Sequence, residues 1–254
     1  MPSTAITTST HNANGNQAPN GVIITRKVGG VTHTLTYDGE NRLTKVMNGS
    51  TTIATFVYNG DGERVKSTIS GVVSTFVGNR LEWSGSATTM KKYYYAGSQR
   101  VAMRTGSSTL NFILGDHLGS TSVTTSSTGT SPKYQLYKPF GEVRYTSGTL
   151  PTKYTFTGQY SNVSDFGLMY YNARFYDPLL GRFTQADTII PGAGNPMNWD
   201  RYRYVQNNPI NFTDPTGHIE ACEENCTEQR KLNKLSAEVI WKELIKNKFG
   251  VTIS

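Results

Sequence analysis

The strongest constraint on the fold is a strict alternation of apolar and threonine side chains. The segment Val31-Thr-His-Thr-Leu-Thr-Tyr37 places three threonines on one face and the other four side chains on the opposite face. Only an extended strand separates residues in this way, because successive side chains of a strand point to opposite faces. Residues 51–58, 72–77, 90–95 and 110–114 are predicted to form further strands. No helical periodicity precedes residue 220, so the sequence predicts a mainly β fold.

The strands are joined by turns that repeat. The copies are Tyr37-Asp-Gly-Glu-Asn-Arg-Leu43, Tyr58-Asn-Gly-Asp-Gly-Glu-Arg-Val65 and the looser Tyr95-Ala-Gly-Ser-Gln-Arg-Val101. In each copy a strand ends at Tyr, a turn rich in Gly, Asn and Asp reverses the chain, and Arg-Leu or Arg-Val opens the next strand. We expect these β-hairpins to join into one sheet that winds into a spiral or a shell.

Residues 154–218 carry a denser pattern of aromatic and turn residues. The main motifs are Tyr170-Tyr-Asn-Ala-Arg-Phe-Tyr-Asp-Pro178, Arg201-Tyr-Arg-Tyr-Val-Gln-Asn-Asn-Pro209 and Asp214-Pro-Thr-Gly217. Because many motifs occur in the same order, the stretch resembles the conserved core of YD-repeat (Rhs) proteins. Gly115-Asp-His-Leu-Gly119 and Tyr137-Lys-Pro-Phe-Gly141 match further motifs of that family.

The resemblance implies that the hairpins coil into a hollow cage, as in Rhs proteins and toxin-complex C subunits, or into the related shell of teneurins. With three or four repeats, we expect only a partial β-cage wall. Four parts are predicted: a degenerate repeat or flexible lead-in (1–30), a YD-repeat sheet (31–150), the Rhs-associated core (151–218) and a variable tail with a short α-helix (219–254).

The resemblance also implies a self-cleavage site. In these relatives two Asp-containing segments form an aspartyl-protease-like centre that cuts the chain just past the second segment. The corresponding carboxylates here are Asp187 and Asp214, and Arg174 is the supporting arginine. The cut would then fall at Gly217 and His218. Two carboxylates that share a proton can activate water and protonate a leaving group, which suits this reaction.

A purely structural interpretation of the same motif stays open. Asp-Pro-x-Gly is also an ordinary turn, with Asp at the first position, Pro at the second and Gly at the fourth. The first segment departs from the cleaving pattern, because Thr188 replaces Pro and Ile190 stands where Gly is expected. The sequence therefore leaves two alternatives, a working self-cleavage centre and a structural plug that closes the shell.

Composition narrows the other possible functions. The net charge is +7, but basic residues are mostly scattered singly, so we expect no nucleic-acid partner. The two cysteines, Cys222 and Cys226, lack further ligands, so free thiols are expected, with no metal and no cofactor. We find no apolar run long enough for a membrane span and no signal peptide at the N-terminus. The resemblance implies a secreted or cell-surface protein, of bacterial origin.

Two functions from different classes follow. The first is a shell or encapsulation module of a polymorphic-toxin or toxin-complex system, with at most an autoproteolytic centre. Its partners would be its own C-terminal cargo or tail, other YD-repeat chains or a toxin-delivery machine. The 36 residues after His218 are too few for an enzymatic effector with its own core. The alternative is a non-enzymatic surface module whose Tyr-rich face binds a glycan or a protein.

Overall fold

The computed structural model describes residues 23–28, 30–188 and 199–218, which form two antiparallel sheets. The larger sheet has thirteen strands: β1 (Ile23–Val28), β2 (Val31–Tyr37), β3 (Leu43–Asn48), β4 (Thr51–Tyr58), β5 (Arg64–Ile69), β6 (Val72–Val77), β7 (Leu81–Trp83), β8 (Lys91–Ala96), β9 (Gln99–Thr105), β10 (Thr109–Gly115), β11 (Thr121–Ser126), β12 (Lys133–Tyr137) and β13 (Val143–Ser147). The smaller sheet has four: β14 (Tyr160–Asn162), β15 (Leu168–Tyr171), β16 (Arg174–Asp177) and β17 (Arg182–Phe183).

Helical structure is limited to short segments in these ranges. One α-helix, α1 (Val163–Phe166), and two 3₁₀ turns, Phe156–Gly158 and Val205–Asn207, connect the strands of the core. Four residues are too few for α1 to show a helical period in the sequence. The mainly β prediction is confirmed, while the predicted C-terminal helix lies outside the described residues.

The predicted strands agree closely with the observed ones. The segments at 31–37, 51–58 and 72–77 coincide with β2, β4 and β6, and those at 90–95 and 110–114 differ from β8 and β10 by one residue. β1 lies at the end of the predicted lead-in and pairs with β2 along all six of its residues. The four-part division of the chain stays a prediction.

An Asp or Asn side chain closes the turns that follow β2, β4 and β10. Oδ1 of Asp38, Asn59 and Asp116 accepts hydrogen bonds from the backbone N–H groups two and four residues further on, at 2.8–3.1 Å. The fourth turn residue has positive φ, 81° at Gly62 and 80° at Gly119. Both features fit an Asx turn, in which a short acceptor side chain replaces a backbone carbonyl.

The tyrosine of the repeat joins neighbouring strands. The hydroxyls of Tyr58, Tyr95 and Tyr137 donate to backbone carbonyls 15 or 16 residues earlier, at 2.6–3.0 Å. The guanidinium carbon of Arg42 lies 5.4 Å from the ring centre of Tyr58, which is within cation–π range. In these hairpins a tyrosine hydroxyl bond, joined at Tyr58 by a stacked cation, ties the end of a strand to the preceding part of the sheet.

The smaller sheet packs on the inner face of the larger one through aromatic rings. Phe56 of β4 contacts Phe166 and Phe175 with ring centres 5.9 and 5.2 Å apart, and Phe76 of β6 contacts Tyr160 at 5.5 Å. Aromatic pairs at these distances add to the stability gained from apolar burial. The Rhs-associated core thus fills the interior face of the partial wall.

A buried ion pair fixes the core to the first strand. Arg26 of β1 donates to both carboxylate oxygens of Asp177 in β16, with Nε–Oδ2 at 2.6 Å and Nη2–Oδ1 at 3.2 Å. The Asp177 carboxylate also accepts the backbone N–H groups of Leu179 and Leu180. The turn at Asp177-Pro178 therefore also anchors the core to the wall.

Candidate functional site

The structure brings all five predicted site residues together. Arg174 projects from β16, Asp187 follows β17, and Asp214 opens the turn that ends at Gly217. Nη2 of Arg174 lies 2.9 Å from Oδ2 of Asp187 and 3.7 Å from Oδ2 of Asp214. Nε of the same guanidinium donates to the carbonyl oxygen of Gly217. His218 completes the group, with Nδ1 2.8 Å from Oδ1 of Asp187.

The arginine at the centre of this group is almost fully enclosed. Its guanidinium carbon lies 3.7 Å from the ring centre of Phe183, and Nη1 donates to the carbonyl oxygen of Arg201 at 3.0 Å. Burial lowers the pKa of Arg174, while the charges of Asp187 and Asp214 act to raise it. The cation is thus held by opposite charges, a carbonyl dipole and an aromatic face.

The two carboxylates have different surroundings. Oδ1 of Asp214 accepts the backbone N–H groups of Gly217 at 2.7 Å and of Thr216 at 3.2 Å, the same pattern that Asp177 forms with Leu179 and Leu180. Burial raises the pKa of Asp214, against the lowering effects of Arg174 and of these hydrogen bonds. Asp187 instead contacts two side chains that carry or can carry a proton, Arg174 and His218.

Gly217 is required by its backbone position. Its φ is +81°, and a Cβ at this residue would collide with the carbonyl oxygen of Tyr171. The preceding residue pairs with the core, since the N–H of Ala173 donates to the carbonyl oxygen of Thr216 at 3.2 Å. The Gly217–His218 peptide bond is therefore held against the loop between β15 and β16.

Sequence reasoning missed several residues that position this turn. Nε2 of Gln159 donates to the carbonyl oxygens of Asp214 and Pro215 at 3.3 and 3.2 Å, and Nδ2 of Asn172 donates to Pro215 at 2.8 Å. Arg201 exchanges two bonds with the backbone of Asp187. These hydrogen bonds involve backbone carbonyl and amide groups, which every residue has, so the spacing of residue types in the sequence does not predict them.

A large concavity opens beside the site. Its volume is about 1180 Å³, and its lining includes Arg174, His218 and the inner-face residues Arg64 and Arg100. His117 also lines it, and its Nε2 lies 3.0 Å from the carbonyl oxygen of Ile210. His117 is therefore a hydrogen-bonded turn residue.

Two classes of site are absent from the part of the chain that the structure describes. There, no group of three His, Cys, Asp or Glu side chains could hold a metal ion. Within the same ranges, no helix is long and apolar enough to cross a membrane. Cys222 and Cys226 lie outside these ranges.

Comparison with known proteins agrees with the architecture. The family model of the teneurin YD-shell matches residues 83–210, half of the chain. The tRNA3(Ser)-specific nuclease WapA of Bacillus spizizenii is 29% identical over 197 residues, which cover 73% of this chain and 8% of that protein. The toxin subunit YenC2 of Yersinia entomophaga is 45% identical over 51 residues, covering 20% of this chain and 5% of that protein.

Solved structures of toxin complexes share the fold. TcdB2-TccC3 without its hypervariable C-terminal region has a TM-score of 0.56 at 23% identity, covering 73% of this chain and 10% of the matched one. The Photorhabdus luminescens Tc holotoxin pore has a TM-score of 0.59 at 21% identity, covering 83% and 11%. This chain spans about a tenth of these proteins or less, so the likeness concerns one section of a much larger shell.

Proposed function

This chain belongs to the teneurin YD-shell family, and from that membership we propose that it forms part of the wall of a protective shell. The hollow side of that wall would face the protein's own C-terminal cargo or tail. The concavity beside Arg174 and the aromatic inner face support this role. Other YD-repeat chains or a toxin-delivery machine would be its partners, and it would act at the cell surface or after secretion.

The same proposal includes self-cleavage at the Gly217–His218 peptide bond. The observation that carries it is the position of Arg174, which contacts both carboxylates and the carbonyl oxygen of Gly217. Nε–H would polarise this carbonyl and stabilise the negative charge that develops on its oxygen during attack. This role requires the turn of residues 214–217 to lie beside Arg174, because only then do the arginine and both carboxylates reach the Gly217 carbonyl group.

The two aspartates take separate parts in the proposed reaction. Asp187, whose carboxylate lies 2.9 Å from the Arg174 guanidinium, accepts a proton from a water molecule as the water oxygen bonds to the Gly217 carbonyl carbon. Asp214 delivers a proton to the His218 nitrogen, a role that burial favours because it raises the pKa of this carboxyl group. The C–N bond then breaks to give a Gly217 carboxylate and a new amino terminus at His218.

Intact mass of freshly purified protein tests this proposal. We expect the wild-type chain to be split after Gly217 and Asp187→Asn, Asp214→Asn and Arg174→Gln to stay whole or cleave far more slowly. Asp165→Asn is the matched control, because it alters a carboxylate of the core that lies outside the site and pairs with the partly exposed Lys153. A wild-type chain of full mass after prolonged incubation would leave the turn with a structural role only.

One observation favours the alternative, a non-enzymatic surface module. Val73, Val77, Trp83 and Tyr94 are exposed large side chains on neighbouring strands β6 to β8. Exposed aromatic surfaces suit glycans and protein partners. An uncut wild-type chain that binds a glycan or protein, and loses this binding in Trp83→Ser, would establish this alternative.

A further inference from the structure

Arg64 occupies a position that a neighbouring repeat fills with an apolar residue. It pairs with Tyr58 across the hairpin, as Leu43 pairs with Tyr37. Leu43 is fully buried, and Arg64 is only 7% exposed. A charge placed in this core position costs free energy, so its presence calls for an explanation.

The guanidinium of Arg64 lies in an aromatic cage. Its carbon is 4.2 to 5.8 Å from four ring centres, those of Phe56, Phe76, Tyr160 and Tyr170. Ring faces stabilise a cation but accept hydrogen bonds poorly. Within the described part of the chain, Nε and Nη1 accordingly have no hydrogen-bond partner and are shielded from solvent.

The third nitrogen, Nη2, differs from these two. Among the described residues it has no hydrogen-bond partner, yet it is not one of the fully buried atoms, and Arg64 lines the concavity that His218 also lines. Glu82, in the same layer of the wall, is already engaged by the hydroxyls of Tyr93 and Tyr160, both at 3.3 Å. Within the described ranges, no carboxylate oxygen lies within 4.0 Å of the Arg64 nitrogens. The cage therefore presents an uncompensated cation to the concavity.

The chain itself supplies a matching anion. Directly after His218 the sequence reads Ile219-Glu-Ala-Cys-Glu-Glu-Asn-Cys-Thr-Glu228, with four glutamates and no basic residue. A chain can extend about 3.3 Å per residue, so the first three glutamates can reach about 20 Å from His218. We propose that Arg64 is a carboxylate-binding site for this acidic segment, residues 220–228, and so seats the start of the tail inside the shell.

This inference rests on the enclosing role of the shell, but not on self-cleavage. Cys222 and Cys226 lie within the acidic segment and are the two cysteines of the chain. Their rate of alkylation by iodoacetamide, followed by mass spectrometry, therefore reports whether the segment is covered. The full chain is used in an Asp214→Asn background, so that the tail stays attached whatever the outcome of the cleavage test.

We expect both thiols to react more slowly in the folded chain than in a synthetic peptide of residues 219–230. Arg64→Leu, which copies the residue of the neighbouring repeat, should raise the rate about tenfold through loss of a charge-assisted hydrogen bond. Arg42→Leu is the matched control, because Arg42 lines the same concavity but is paired with Asp38 and Glu40. It should leave the rate unchanged.

Other results would overturn the inference. These are a wild-type rate equal to that of the peptide, an unchanged rate in Arg64→Leu, or equal acceleration by both arginine variants. If Arg64→Leu fails to fold, the double variant Glu223→Gln with Glu224→Gln is used instead. Faster alkylation of the thiols in this variant supports the Arg64 site, and an unchanged rate contradicts it. If the wild-type chain is cleaved but its thiols react as fast as those of the peptide, the Arg64 site is rejected and the self-cleavage proposal stands.

Discussion

Gly217 combines a backbone conformation that favours glycine with a carbonyl group that is the proposed site of cleavage. Its φ of +81° and its contact with Tyr171 leave no room for a Cβ. We predict that Gly217→Ala costs about 1–3 kcal/mol from strain in φ alone and moves the carbonyl away from Arg174. Thermal unfolding and intact mass measure both effects. Gly60→Ala is the control, because Gly60 has neither positive φ nor a neighbour within 4 Å, and equal losses in both variants would contradict this reasoning.

The raised pKa of Asp214 predicts a pH-dependent stability. The folded chain binds this proton more tightly than the unfolded chain, where the pKa is about 3.9. The resulting stabilisation is present below that pH and is lost as pH rises through the folded-state pKa. Asp214→Asn keeps the group neutral, so its melting temperature relative to wild type should increase as the pH rises above about 4. A difference that is flat or decreases with pH would contradict the prediction.

The site was largely predictable as a set of residue names. Arg174, Asp187, Asp214, Gly217 and His218 were all selected from motifs, and they lie together. Their catalytic roles stay a prediction. The position of Arg64 was not predicted. Arg42 lies five residues after Tyr37, whereas Arg64 lies six residues after Tyr58, so the two arginines hold different positions in their hairpins. Pairing of Tyr58 with Arg64 reveals this shift, and pairing depends on the register of the sheet.

At the scale of the elements, the Asx turn makes a direct prediction. Asp116→Ala removes the acceptor of two backbone N–H groups, those of Leu118 and Ser120. The expected loss is about 1–2 kcal/mol of unfolding free energy, as for other side-chain caps of backbone groups. Asp116→Asn should lose far less, since Asn59 fills the same role in its own turn. Urea denaturation of both variants tests this, and equal losses would show that charge, not the acceptor, matters.

Strands were predicted well because each carries its own alternation of side chains. The segment 31–37 needs no tertiary contact to be identified as a strand, and β2 has those bounds. Short elements of the core were harder. β17 has two residues and α1 has four, and both exist through contacts made elsewhere, such as the bond from the Phe183 amide to the Tyr202 carbonyl at 2.8 Å.

At the scale of the whole molecule, the buried Arg26–Asp177 pair should be a main determinant of stability. Arg26→Met leaves the Asp177 carboxylate buried and unpaired, which costs about 3–5 kcal/mol. The double variant Arg26→Met with Asp177→Asn should recover much of this loss, because the remaining amide can still accept the turn N–H groups. Chemical denaturation of the four combinations measures the coupling. Additive losses would show that the two side chains act independently.

No pattern in the sequence predicted the Arg26–Asp177 ion pair. Its members are 151 residues apart, and the motif that contains Asp177 gives no hint of a partner in β1. Local rules give strands and turns from a few neighbouring residues, whereas this contact depends on where the core lies against the first strand. The same limit applies to the aromatic packing between Phe56 and Phe175.

The order of strands in the larger sheet is the order of strands in the chain, from β1 to β13. Each strand therefore pairs with the strand that precedes it in the chain, and no strand is inserted between two strands that are already paired. A wall built in this way can be lengthened or shortened by whole hairpins in a single genetic duplication or deletion. Shells of many sizes can thus descend from one another while the aspartate site, made by residues that follow the thirteen-stranded sheet in the chain, is left untouched.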